Sequence, residues 1–441
     1  MLRLARTLVD RGDVSVTVAV PDFIHRRMGQ HLVAGVTLVS IPSGVVDDGG
    51  DEPPGPPAFL HAMEHNMPAQ LEGMLTTERG IGARGVSCLV IDLLASWAIP
   101  VAACHGLPVV GFWPAMLATY RTVAVIPELM DKGVISESGA IVSTDRIDSD
   151  QNIGDLQILP AKLKLRFKDL PWLISSSAVS QKSRIAFWLQ IVNRAKSIRS
   201  ILVNSIHGEG SDSDLYGPPQ GQEILSIGPL LFNDDPKKTT AMWQADQTCI
   251  AWLDKQSAGS VIYVSFGSWA APIEPEKIRG FAHGLEASGR PFLWTLKNHP
   301  SWRAGLPDGY IEKVAGRGKI VSWAPQDDVL KHKAVGCYIM HCGWNSALEA
   351  ARHGVRMICY FFFADHFITC AYMVNMFDFF FLLASSDQRS VRDCIERVME
   401  GEEGRRLQQM VNKLRETITV GEAMSVAKRS LSLFMERIKK N

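Results

Sequence analysis

The sequence carries no net charge. Lys plus Arg and Asp plus Glu stand at 46 each among 441 residues, so no overall field favours nucleic acid or an acidic membrane surface. None of the eight cysteines forms a C-x-x-C pair, which argues against a zinc ribbon or a dithiol redox motif. Cys88, Cys337 and Cys359 sit in apolar runs instead, the setting of buried free thiols in a reducing compartment. There is no Asn-x-Ser/Thr sequon and no run of 18 apolar residues, so a spanning helix is not expected. Arg3, Arg6 and Arg11 break up the first apolar stretch, unlike a secretory signal. A cytoplasmic chain is expected. P-loop and serine nucleophile-elbow motifs are also missing.

What is present is an ordinary globular mixture, 46% hydrophobic and 21% charged. The length exceeds what one core supports, so two domains of about 200 residues are expected. The chain opens in a helix, with Leu2, Leu4, Ala5 and Leu8 as its apolar stripe and Gly12 as its stop. Apolar runs at 14–20, 36–41 and 86–91 read as strands, the last ending in Asp92. A helical pattern at 61–75 is interrupted by Pro68. Residues 126–182 show little pattern; 187–200 is helical and 200–204 a strand. The stretch 227–238, rich in Gly, Pro, Asn and Asp, reads as a linker. A second series follows, with strands at 260–266, 292–296, 318–321, 335–340 and 355–362 and a helix at 277–288. Strands alternating with helices imply parallel sheets covered on both faces. The expected domains are 1–230, 231–421 and an amphipathic terminal helix at 422–441 that packs back on the first.

Several motifs lack the context their chemistry needs. The G-x-G-x-x-G run at 80–85 precedes a strand and opens no helix. The D-x-D triplets at 148–150 and 212–214 lie in polar loops. His61 and His65 are four apart on a helix, but no third ligand accompanies them.

The informative stretch is 323–366. It contains Trp323-Ala324-Pro325-Gln326, His332, then His341-Cys342-Gly343-Trp344-Asn345-Ser346, Glu349, Gly354 and Asp365-His366. Residues 335–340 read as a buried strand, 341–346 as a turn and 347–353 as a helix. A strand, a Gly turn and a helix start make an anion site, because the first-turn N–H groups are unpaired and the dipole is positive there. Asn345 and Ser346 are read as its caps and phosphate donors. His341, at the strand's C-terminal end, faces the crevice where such sheets bind ligands.

This stretch resembles the secondary-product signature of the plant UDP-dependent glycosyltransferases. Weaker matches lie at Cys249-x-x-Trp252-Leu253-Asp254, at 260–268, at 87–92 and at 112–115. The resemblance implies the GT-B fold: two doubly wound, Rossmann-like α/β domains facing across a cleft. It implies transfer of a hexose from UDP-glucose or UDP-galactose to a small lipophilic acceptor, with inversion, no metal and no other cofactor, by a monomer. Trp323 would stack on uracil and the Ala324 backbone would read its edge. Gln326 and Glu349 would hold the ribose. Ser268, His341, Asn345 and Ser346, with the Gly343 turn, would bind the diphosphate; Trp344, Asp365 and His366 would contact the sugar. His366 stands where the family usually has Gln, and Arg356 where it has Pro. Asp92 matches the carboxylate that orients the catalytic His. The family's first strand and its His loop precede the helix with which this sequence opens. The first domain is therefore expected without its central strand, and an impaired UDP-sugar binder is the alternative to an active transferase.

Overall fold

The structure, a computed structural model, describes residues 1–12, 14–28, 35–45, 56–76, 85–142, 170–173, 178–206, 221–230, 245–267, 273–360, 366–374 and 380–440. It divides into two units, Met1–Met242 with Val420–Asn441, and Trp243–Thr419.

Among the described residues the first unit holds six strands, all paired in parallel. β1 (Val16–Pro21) and β2 (Val36–Ile41) form one pair. β3 (Leu89–Asp92), β4 (Val109–Trp113), β5 (Ser200–Val203) and β6 (Glu223–Ser226) form a sheet in that order. Among the described residues no hydrogen-bonded ladder joins these two sheets. The opening helix, Leu2–Asp10, serves both sheets. Its Leu4 and Leu8 join Phe112, Leu202 and Leu225, while Ala5 packs with Val18 and Val36. Burial of each such aliphatic side chain is worth about 1.5–3 kcal/mol. The terminal helix Glu422–Lys440 adds Leu431, Phe434 and Met435 to the larger core, and Arg437 clasps Glu223 on β6 with two hydrogen bonds.

The helix break anticipated at Pro68 lies two residues earlier, at Asn66. Helices Pro56–His65 and Met67–Thr76 meet at Asn66, whose side-chain amide donates to the Ser43 carbonyl at 3.0 Å. Pro68 falls in the first turn of the second helix, where its missing N–H has no intrahelical partner to lose.

Among the described residues the second unit has one parallel sheet of six strands: β7 (Val261–Ser265), β8 (Phe292–Thr295), β9 (Gly318–Val321), β10 (Val335–Met340), β11 (Arg356–Cys359) and β12 (Phe380–Leu382). Their spatial order is β12-β11-β10-β7-β8-β9. Order reverses between β7 and β10, and such sheets bind ligands outside the strand ends at that switch point. Every residue of β7 and β10 is buried, as expected for central parallel strands.

Arg356, a charge entering a buried strand, is satisfied by backbone. Its guanidinium donates to the carbonyls of Val398 (2.6 Å), Met399 (3.3 Å) and Gly336 (3.0 Å). Two of these close the helix Gln388–Met399, where the last carbonyls have no helical donor and the dipole favours a cation. Arg356→Met should lower unfolding stability by roughly 2–3 kcal/mol through these lost charged bonds, with UDP affinity unchanged; matched urea-denaturation and binding curves check both.

Candidate functional site

The switch point is built by three loops that leave the C-terminal ends of β7, β9 and β10. After Met340 the chain passes His341 and enters a left-handed conformation at Cys342 (φ 64°). The helix Trp344–Arg352 then begins, with Gly343 at its N-cap. This corrects the sequence reading: Asn345 and Ser346 are first-turn residues, and no side chain caps the helix. Its first backbone bond runs from Ala347 N–H to the Gly343 carbonyl, so the amides of 344–346 have no acceptor within the helix. Gly343 is required sterically. A Cβ there would lie 2.4 Å from His341 Nε2, and one at Gly267, beyond β7, would lie 2.8 Å away. Backbone thus closes on the imidazole from two sides.

His341 and His366 meet edge to face, with ring centroids 4.8 Å apart. His366 is the first residue of the helix His366–Tyr372. Among the described residues, His341 Nδ1 is buried without a hydrogen-bond partner. Burial pushes the His341 pKa down from 6.5 to about 3, helped by the neighbouring His366, and burial pushes His366 down to about 4. Both rings are neutral at pH 7 in the folded state, whereas in the unfolded chain they take up protons near pH 6.5. Their contribution to stability is therefore full above pH 6.5 and is lost as pH falls toward 4 and then 3, by about 1.4 kcal/mol per pH unit for each ring. Urea midpoints measured from pH 7 to 4.5 should fall, and His366→Asn should make the fall shallower; an unchanged slope would contradict the assignment.

A second cluster sits beside the helix. Gln326 opens the helix Gln326–Lys331. Its Nε2 donates to Glu349 Oε2 at 2.6 Å and to Ser346 Oγ at 3.3 Å. Its Oε1 accepts from the Tyr338 hydroxyl at 3.0 Å and the Tyr263 hydroxyl at 3.4 Å. Glu349, with relative exposure of 8%, accepts only when ionised, so it fixes which end of the amide faces it. The two tyrosines were missed by sequence reasoning. They are direct register partners on β10 and β7, with rings stacked 4.8 Å apart. Tyr338→Phe should lower unfolding stability by about 1 kcal/mol for the hydrogen bond lost to Gln326, which urea denaturation of the two proteins checks.

Trp323 and Ala324 follow β9 directly, and the Trp323 carbonyl accepts from Asp246 N–H at 2.9 Å. Trp344 is buried and Asn345 exposed. Trp323, Ala324, Gln326, His341, Gly343, Trp344, Asn345, Ser346 and Glu349 are thus all carried at the C-terminal ends of β9 and β10. Ser268 and Asp365 lie outside the described residues, as do residues 80–84, 148–150 and 212–214 of the discarded motifs. Asp92 belongs to the first unit. It ends β3, and its carboxylate accepts from Leu94 N–H at 3.1 Å, capping a short 3-10 turn. Desolvation pushes its pKa above the usual carboxylate range. His61 and His65 are exposed, and Glu64 between them is engaged by Arg194 at 2.8 and 2.9 Å.

Known proteins share this arrangement. The family profile described as UDP-glucoronosyl and UDP-glucosyl transferase matches residues 229–405. UDP-glycosyltransferase 82A1 of Arabidopsis thaliana is 39% identical over 436 residues, covering 93% of this chain and 90% of its own. A UDP-glucosyltransferase from Polygonum tinctorium capable of glucosylating indoxyl superposes with a TM-score of 0.77 at 25% identity, over 99% of this chain and 95% of that one. Os79 from O. sativa, solved with UDP, shares the fold with a TM-score of 0.78 at 22% identity, over 98% and 96% of the two chains. Two parallel-sheet, Rossmann-like units of this fold place the chain in the GT-B class. The chain belongs to the UDP-glycosyltransferase family.

Proposed function

We propose that the protein transfers a hexose from UDP-glucose or UDP-galactose to a hydroxyl of a small lipophilic acceptor, with inversion at the anomeric carbon. The observation that carries the donor half is the Gln326–Glu349–Ser346 cluster beside an uncapped helix start. In this reading Trp323 and Ala324 hold uracil and Glu349 and Gln326 hold the ribose. Ser268, His341, Asn345, Ser346 and the first-turn amides receive the diphosphate, and Trp344, Asp365 and His366 contact the sugar. The second unit is then the donor domain and the first, with its terminal helix, the acceptor domain.

The acceptor oxygen bonds to the anomeric carbon as the bond to UDP breaks, and the acceptor proton leaves. Charge grows on the departing diphosphate, where N–H and hydroxyl donors are already aimed, so no metal is needed to stabilise it. A neutral His341 suits this role as a hydrogen-bond donor that adds no competing proton equilibrium near pH 7. Asp92 is assigned, as the resemblance implies, to orienting the base that takes the acceptor proton and to stabilising that base's cationic form. We read the protein as a cytoplasmic monomer; none of its eight cysteines is in a disulfide, which suits a reducing compartment.

The test is turnover of each donor, in the presence of chelator, against a panel of phenolic and terpenoid alcohols. Glycoside and UDP in equal amounts are expected, and no product with either donor across the panel would overturn the reading.

A further inference from the structure

Three cysteines that the transfer reaction does not use converge behind the donor site. Cys342 lies in the turn after β10, Cys359 ends β11, and Cys370 lies on the helix His366–Tyr372. All three are buried, and their sulfurs lie within 4.8 Å of one another. Their separation in sequence makes this a product of the fold. Cys342 also holds a left-handed backbone (φ 64°), which glycine adopts without strain and other residues seldom do. A thiol is thus kept at a position where the backbone favours glycine.

The chemistry of the cluster restricts its ligand. Burial pushes the Cys342 and Cys359 thiols far above the ordinary cysteine range, and the main electrostatic influences on both are other cysteines, with no Lys or Arg among them. The sulfurs are therefore neutral thiols in surroundings that oppose net charge. A divalent cation on three thiolates would leave a buried negative charge. Zinc also calls for a fourth ligand, and among the described residues no His, Asp or Glu joins the three sulfurs at this spacing. A trivalent, thiophilic centre that takes three ligands meets both restrictions.

We propose that Cys342, Cys359 and Cys370 form a binding site for trivalent arsenic, taken up as arsenous acid, and that filling it disables the donor site. Three arsenic–oxygen bonds break and three arsenic–sulfur bonds form. Each thiol proton leaves with a hydroxyl as water, no electrons are transferred, and the product is uncharged. The sulfurs must draw together slightly, and the structure shows where that motion goes. Cys342 sits between His341 and Gly343, a turn in which a single added Cβ would lie 2.4 Å from His341 Nε2. Cys370 shares a helix with His366, which packs on His341. Closing the cluster displaces these groups from the diphosphate position. This consequence rests on the donor-site reading above; the binding of arsenic does not.

The experiment is native mass spectrometry of the protein after incubation with sodium arsenite, paired with UDP titration of the same sample. The expected result is one arsenic per chain with the loss of three hydrogens, and at least a tenfold weaker affinity for UDP. Cys359→Ser and Cys370→Ser should each abolish arsenic retention and keep UDP affinity in the presence of arsenite. Peptide mapping after alkylation should find these three thiols protected in the wild-type protein, which tests the site even where a serine variant fails to fold. No stoichiometric arsenic, arsenic retained by both serine variants, or its displacement by an equal concentration of cadmium would overturn the site. Arsenic bound with UDP affinity unchanged would overturn the coupling. Failure of UDP to bind before arsenite is added would instead count against the donor reading alone.

Discussion

Glu349→Ala should weaken UDP binding about a hundredfold while leaving the protein folded. Glu349 is the acceptor that orients Gln326 through a 2.6 Å bond, and in the proposed site its carboxylate also receives the ribose hydroxyls. Hydrogen bonds to a charged group are worth roughly 1.5–3 kcal/mol each, and about 1.4 kcal/mol is tenfold in affinity. Two such bonds to a ribose diol, less the release of Gln326 from its partner, give the stated loss. The side chain ends a network that begins at Tyr263 and Tyr338, so the substitution also frees the Gln326 amide. Calorimetric titration of UDP, UMP and uridine gives the check. All three ligands carry the ribose and should lose affinity by a similar factor; a loss confined to UDP would move Glu349 to the phosphates.

Asp92→Asn has the opposite kinetic signature. It should lower kcat by roughly 10²–10⁴, the usual range for losing general acid–base help in the transition state, with UDP affinity unchanged. Asparagine is nearly isosteric and its side-chain oxygen can still accept from Leu94 N–H, so the 3-10 turn should persist. The rate deficit should shrink as pH rises and the acceptor hydroxyl ionises unaided, most visibly with phenols. A kcat within threefold of wild type would remove Asp92 from the chemistry and leave it as the cap of a turn.

The parts of this molecule legible in sequence were those whose cause is local. The limits of β2, β9 and β10 coincide with the sequence reading, and β10 is a continuous apolar run. The short strands β6 and β12 are not separable by pattern: β6 is four residues beside a turn-rich stretch, and β12 lies in an aromatic run. Both are strands because a neighbour supplies the ladder. The helix at 344 begins earlier than its polar residues suggested. Asn345 and Ser346 favour caps, yet the left-handed Cys342 and the space around Gly343 set the entry. Nor does the sequence reveal that Tyr338 faces Tyr263, since that depends on the register of two strands more than 70 residues apart. The partners of Arg356 are equally hidden from sequence, being carbonyls of a helix more than 40 residues away. Sequence motifs thus pointed to the residues proposed for the donor side, while the contacts around them come from register and tertiary packing.

Calorimetric titration of UDP into the protein in buffer containing chelator tests the central claim most directly. One site per chain, with an affinity unaffected by adding magnesium, is the outcome expected of a helix start and fixed donors acting without a metal. An absence of binding, or binding that appears only with magnesium, would contradict it.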